Sequence, residues 1–411
     1  MRRQQLTAGS VPSKDLMVLL GLLSAFGPLS MDMYLPGLPA VEDDLGAGQA
    51  AAQLTLTAAA LGLAAGQLVA GPLSDRFGRR APLLIGLVAY AVASVLCALA
   101  PSIWVLVGVR LLQGMAGAAG IALSRAIVRD CTEGLAAARA FAVLASINGV
   151  APVLAPVAGG QLLRVTDWRG VFAVLTAIGA VLLVWSATRL PETLPRSDRT
   201  GGGVRATLAT GRVLLGQRAF LGPVLAFGLG FGALFTYIST SSFVLQDGFG
   251  LSPAQFSLLF ALNGAGIVAA GQASRVLVAR AGPRRLVLAG LLLQSAAAAV
   301  LVTAALAGWG LPVVVPALLV NATAFGLVAP NATTLAMSGA RQVAGSASAL
   351  LGISQFALGG LIAPLAGLGP SGELLPMAVV MAGSALAATG VFLLVRERTP
   401  AVPVPTSEVP A

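Results

Sequence analysis

Two charged side chains lie within otherwise apolar stretches of the sequence, Asp32 and Arg110. A guanidinium near the middle of a lipid-crossing helix costs about 2.5 to 3.5 kcal/mol, so Arg110 must face water or an anion. Counted at about 1.5 Å per helical residue from Pro36 and Pro101, Asp32 lies roughly 6 Å and Arg110 roughly 13 Å into the apolar layer. No other carboxylate falls inside such a stretch, so the two charges are expected to pair. A carboxylate that is alternately buried and wetted changes its proton affinity, which desolvation raises and a neighbouring arginine lowers. Asp32 and Arg110 are therefore read as proton-coupling residues. Two plainer readings stay open: Asp32 as a helix-end group solvated at the interface, and Arg110 as an anchor of helix packing.

A second constellation is Gly71-Pro72-Leu73-Ser74-Asp75-Arg76-Phe77-Gly78-Arg79-Arg80. Gly78 permits a turn too tight for a side chain, and Asp75 can accept bonds from arginines or from the first amides of the following helix. With Arg129 and Asp130, residues Gly71, Asp75, Arg76, Gly78, Arg79 and Arg80 form a candidate conformational switch; the alternative is that these arginines only mark one side of a membrane. Gly149, Pro152, Pro156, Gly159 and Gly160 give a third stretch, in which prolines bend a helix and glycines admit a close neighbour. It reads as a dry contact that flexes and limits proton leak, or as small-residue packing alone. Candidate substrate contacts are Tyr34, Gln113, Asn148, Asn263, Asn331 and Gln355 among polar residues, with Phe235 and Tyr237 leading an aromatic set that includes Phe231, Phe243, Phe260 and Phe356. Each aromatic has packing or lipid contact as its alternative.

Of 411 residues, 57% are hydrophobic and 10% charged, where a soluble domain carries about a quarter charged. With a mean hydropathy of +0.90, the solvent is lipid. The absence of histidine, with only Cys97 and Cys131 as thiols, leaves no metal cluster or disulfide framework. No Walker-type phosphate loop occurs either. No cofactor or metal is expected, and energy for any transport must come from an ion gradient.

A span needs about 20 largely apolar residues. The charge-free runs 16–31, 45–74, 140–163, 170–188, 219–246, 248–274, 342–372 and 374–395 each fit one. The stretch 81–124, interrupted by Arg110, breaks at Pro101 and holds two; 286–340 breaks around Gly308, Gly310 and Pro312 and holds two more. Twelve helices result. With a cytoplasmic N-terminus, 22 of the 25 basic residues share one side, so both termini are expected in the cytoplasm. The net charge of +10 thus orients helices, and no nucleic acid partner is expected. Arg2 and Arg3 before an apolar run resemble a signal peptide, but no clean small-residue cleavage site follows and the run is needed as helix 1.

The chain divides into a cytoplasmic N-terminus (1–14), a six-helix half (15–189), a cytoplasmic central loop (190–218), a second six-helix half (219–396) and a disordered cytoplasmic tail (397–411). A repeat crosses the divide: Arg76-Phe77-Gly78-Arg79-Arg80 is echoed 204 positions later around Gly282, Arg284 and Arg285, with Ala279 in place of Asp75.

The 71–80 stretch resembles the signature of the major facilitator superfamily between helices 2 and 3. Met31-Asp32-Met33-Tyr34-Leu35-Pro36, Arg110-Leu111-Leu112-Gln113-Gly114, Arg129-Asp130 with Ala138-Arg139, and Ala344-Gly345-Ser346-Ala347-Ser348-Ala349-Leu350 are similar to its 12-span drug:proton antiporters of the Bcr/CflA type, which include multidrug and phenicol exporters. The resemblance covers about 15–396. It implies an all-α polytopic membrane protein with the major facilitator fold, 12 transmembrane helices in two pseudo-symmetric six-helix halves, in a bacterial inner membrane. It also implies that Arg129 is among the partners of Asp75. Ala155 stands where the helix 5 antiporter motif usually has glycine, which weakens the inference of export from that motif alone.

The function implied is a proton-driven antiporter exporting small, moderately hydrophobic drugs or metabolites. Neutral or zwitterionic, phenicol-like compounds are favoured, because paired Asp32 and Arg110 carry no net charge. Its partners are a small-molecule substrate, protons and membrane lipid, and a monomer is expected. A proton-coupled importer or a dedicated metabolite exporter is the rival on the same fold. A polytopic enzyme is disfavoured, since Glu42, Asp43, Asp44, Asp167, Asp247 and Glu373 are the only acids in the external loops.

Overall fold

The computed structural model describes residues 13–132, 134–199, 211–338 and 344–395. The tail expected to be disordered, Arg341, most of the N-terminal segment and part of the central loop lie outside the described residues. Among the described residues twelve long helices run in order: α1 (Lys14–Asp32), α2 (Gln49–Phe77), α3 (Arg80–Ala98), α4 (Ile103–Cys131), α5 (Gly134–Leu162), α6 (Trp168–Arg189), α7 (Arg218–Ser242), α8 (Pro253–Ala281), α9 (Pro283–Ala307), α10 (Leu311–Ser338), α11 (Ala344–Ile362) and α12 (Leu374–Leu394). No strand occurs among the described residues. Ten of these helices are long and apolar enough to cross a membrane; α1 with the short helix Leu38–Asp44 makes an eleventh span, bent by 48° between Gly27 and Leu29. α5 is as long as its neighbours and carries Arg139 as its one charge. Ile85, Val181, Leu258, Val276 and Leu386 are exposed, as lipid contact allows.

The sequence marks where helices start. Ser102 caps α4 by accepting from the Val105 amide, Asp167 caps α6 through the amides of Arg169 and Gly170, and Ser252 with Gln255 forms a capping box around Pro253 at the head of α8. The α3–α4 and α9–α10 breaks fall where Pro101 and the Gly308 to Pro312 stretch require them.

Contacts repeat on adding six to each helix number. In the first half α2 packs on α4, α3 on α6, and α1 on α4 and α5; in the second α8 packs on α10, α9 on α12, and α7 on α10 and α11. Between halves, α2 meets α11 and α5 meets α8. The backbone repeats as well: Gly78 and Gly282 turn with φ of 91° and 75°, and Gly46 and Gly250 with 56° and 72°, each pair 204 residues apart. The face carrying Gly78 and Gly282 is here the basic face; the face carrying Glu42 to Asp44 and Asp247 is the acidic face.

Close packing of α2 on α4 sets the depth of Arg110. A Cβ added at Gly62 would strike the carbonyl of Leu111, and one at Gly114 the carbonyl of Ala59. Gly62→Val should therefore destabilise the bundle by about 1 to 3 kcal/mol and lower the apparent Tm in detergent by several degrees. Gly71→Ala, whose new methyl meets no atom within 4 Å, should leave the Tm unchanged. Equal Tm values for both variants and the native protein would remove this interlock.

Candidate functional site

Among the described residues only three charged side chains are buried: Asp32, Arg79 and Arg110. Arg110 is fully enclosed. Its Nη1 donates to Oε1 of Gln113, one turn along α4, at 2.5 Å, and Nε2 of Gln113 donates to Oγ of Ser94 on α3 at 2.7 Å. The guanidinium lies over the rings of Tyr34 and Phe172, 5.1 and 5.6 Å from their centroids. Its Nε and Nη2 donate to nothing among the described residues.

The expected Asp32–Arg110 pair does not form. α1 ends at Asp32, and the chain turns into a 3-10 segment, Leu35–Gly37, which brings the Tyr34 ring rather than the carboxylate against the guanidinium. Asp32 makes no hydrogen bond or ion pair and remains the only buried carboxylate among the described residues. Tyr34 accepts from Oγ1 of Thr55 at 3.4 Å.

The other candidate contacts divide into separate places. Tyr34, Gln113 and Arg110 share one cluster in the first half. In the second, Asn263 donates to the hydroxyl of Tyr237, whose ring stacks on Phe260, and Phe235 stacks on Phe231, which meets Phe356 edge-on. Phe243 is buried in the core, as are the other aromatics named. Asn148 ties α5 to Ser24 of α1 at 2.8 Å, and Asn331 ties α10 to Ser274 of α8 at 2.7 Å, so both amides serve helix packing here. Gln355 is half-buried and has no hydrogen-bond partner among the described residues.

α5 connects Asp32 to the second half. Pro152 and Pro156 lie inside it. Gly159 abuts the carbonyl of Met33, the residue after Asp32; Gly160 abuts Oγ of Ser257 on α8; Gly149 faces Val268. Ala155 is buried.

At the basic face, Gly78 turns the chain so that Arg79 folds back on α2. Its Nη1 donates to Asp75 at 2.5 Å and to Ser74 at 2.7 Å, and its Nε to Asp130 at 2.8 Å. Burial alone would lower the guanidinium's proton affinity, but bonds to Asp130 and Asp75 outweigh it and the net shift is upward. Arg129, expected to partner Asp75, makes no ion pair among the described residues: Arg79 already occupies that carboxylate from within the same turn. Arg76 lies over the ring of Phe77. The amides of Arg79 and Arg80, at the head of α3, donate to the carboxylate of Glu192 at 2.7 and 3.3 Å. Sequence reading missed Glu192 and Phe172. An acid just past a span, in Pro191-Glu192-Thr193, was the one available signal for the first, and nothing distinguishes Phe172 from any lipid-facing phenylalanine. Asp130→Asn would leave buried Arg79 half-compensated, a loss of about 3 kcal/mol. It should raise thiol labelling of Ala122→Cys, on the same face, in a protein lacking Cys97 and Cys131, and Asp75→Ala should do the same. Unchanged labelling would reduce the cluster to a topology marker.

All three hydrogen bonds joining the halves among the described residues lie at the acidic face. Gln53 donates to Thr240 at 3.4 Å, Gln246 to the carbonyl of Pro36 at 3.3 Å, and Gly372 to Gln49 at 3.2 Å. Acids from both halves meet there. Nη1 of Arg169 and Nε1 of Trp168 both donate to the carboxylate of Asp44 there, at 2.5 and 3.1 Å.

A family model described as Major Facilitator Superfamily matches residues 20–364. The uncharacterized transporter YdgK of Bacillus subtilis is 38% identical over 386 residues, 92% of this chain and 95% of that one. A bicyclomycin resistance protein homolog of Haemophilus influenzae is 28% identical over 346 residues, 84% and 87% of the two chains. A solved structure of a D-xylose-proton symporter superposes with a TM-score of 0.72 at 19% identity, covering 93% of this chain and 97% of that one, which is a likeness of fold. The match to the family model, spanning most of both halves and including the helix that bears Arg110, places this chain in the major facilitator superfamily: it is a multi-pass membrane transporter.

Proposed function

We propose that the transporter is a proton-driven antiporter exporting small, moderately hydrophobic drugs or metabolites from a bacterial cell. The observation that carries this reading is Asp32, among the described residues the sole buried carboxylate and one without a bonded partner, two residues from the tyrosine that covers Arg110. A carboxylate held by a fixed arginine would stay ionised; one left free can take a proton when substrate leaves and yield it when substrate arrives. Arg110, held by Gln113 and two ring faces, supplies a fixed positive field and two unused donors.

Asp32 and Arg110 together still sum to zero charge, which favours neutral or zwitterionic, phenicol-like substrates. Phe231, Phe235 and Phe356 with the free amide of Gln355 supply an apolar wall and one polar contact from the second half. The names of the bicyclomycin resistance relative and its group support drug export. The concentration of arginines on the basic face supports a cytoplasmic position for that face and both termini, in the inner membrane. With the acidic face joined by three hydrogen bonds, we read the described state as closed to the outside.

Competition between proton and substrate is the test that separates antiport from symport. Adding chloramphenicol to the detergent-solubilised protein should release protons, and Asp32→Asn should abolish the release. Proton uptake on binding would sink the export reading and favour a coupled importer.

A further inference from the structure

At the basic face a cavity of about 230 Å³ opens between the halves, bounded by Gln67 and Asp75 of α2, Arg125 and Arg129 of α4, and Ser348 and Ala349 of α11. Arg125 and Arg129 are four residues apart and so share one face of α4, where two like charges destabilise a helix. Among the described residues neither has an ion-pair or hydrogen-bond partner, and both are exposed. The nearby acids offer no relief, because Asp75 and Asp130 are both bonded to Arg79. Across the cavity stands Ser348 of α11, whose hydroxyl can donate to an anion. At about 30 Å³ for each water, the space holds a phosphate group and a few waters.

We propose that this cavity is an anion site that takes a phosphate group, held by Arg125 and Arg129 from one half and by Ser348 from the other, so that its occupancy draws α4 and α11 together. Two sources carry this chemistry: a soluble phosphate and the headgroup of an anionic lipid. The proposal is independent of the direction of transport and of Asp32.

The test uses the full-length chain lacking Cys97 and Cys131 and carrying Ala349→Cys on the cavity wall. In zwitterionic detergent, inorganic phosphate at millimolar concentration should slow labelling by a small thiol reagent about tenfold relative to chloride of equal ionic strength. Phosphatidylglycerol vesicles should be compared with phosphatidylcholine vesicles in the same assay. Protection by phosphate without anionic lipid assigns the site to a soluble anion, and protection only in phosphatidylglycerol assigns it to the lipid; either outcome supports the site. Arg125→Gln should abolish the protection, while Arg280→Gln, outside the cavity, should retain it. A thermal shift induced by phosphate in the native protein, lost in Arg125→Gln and partly restored in Arg125→Lys, gives a second readout free of the introduced cysteine. No protection and no shift under either condition, or protection undiminished in Arg125→Gln, would overturn the proposal.

Discussion

A charge taken out of water has to be met by something, and lipid offers nothing to meet it. The three buried charges show three ways of answering this. Arg79 is met by two carboxylates and a hydroxyl, which fix one turn rigidly. Arg110 is met by one amide oxygen and two ring faces, enough to hold it without an acid. Asp32 is met by no partner among the described residues, and a carboxylate in that condition is the group whose protonation changes most readily with its surroundings. The close contacts of α2 with α4 and of α5 with α1 place these groups and keep water from them.

The two faces of the molecule are held in different ways. The acidic face is closed across the halves by side-chain amides of Gln49, Gln53 and Gln246, with acids crowded beside them. Among the described residues the basic face is braced inside the first half, by the clamp on Arg79 and the Glu192 cap on α3, and the second half has Ala279 where the clamp would need an acid. Motion between halves is therefore resisted by weak bonds at one end and biased by a strong local cluster at the other.

The fold was legible because its signals are long. Charge-free runs, breaking prolines and the sidedness of arginines gave the twelve helices, and the Gly78 and Gly282 turns gave the repeat. Pairings were less legible. Asp32 and Arg110 lie at similar depths, but depth says nothing of rotation about a helix axis, and a short 3-10 turn was enough to present Tyr34 instead. The resemblance points to Arg129 as a partner of Asp75, yet Arg79 lies only four residues along the chain, and the positive-φ turn at Gly78 folds it back onto that carboxylate. Asn148 and Asn331 look like substrate contacts by residue type, and only the neighbouring serines reveal them as ties between helices. Glu192 and Phe172 act through contacts far along the chain, which leave no periodic trace.

That Asp32 is the only buried carboxylate among the described residues has an energetic consequence for the proposed exchange. One titrating group carries one proton per turnover. Each 100 mV of proton-motive force then supplies about 2.3 kcal/mol, which sustains a substrate gradient of roughly fifty-fold. An uncharged substrate exchanged for one proton moves a net positive charge inward, so voltage and pH gradient both contribute. A monovalent cation exchanged for one proton moves no net charge and draws on the pH gradient alone. The arrangement thus favours steep export of neutral compounds wherever voltage is the larger part of the driving force.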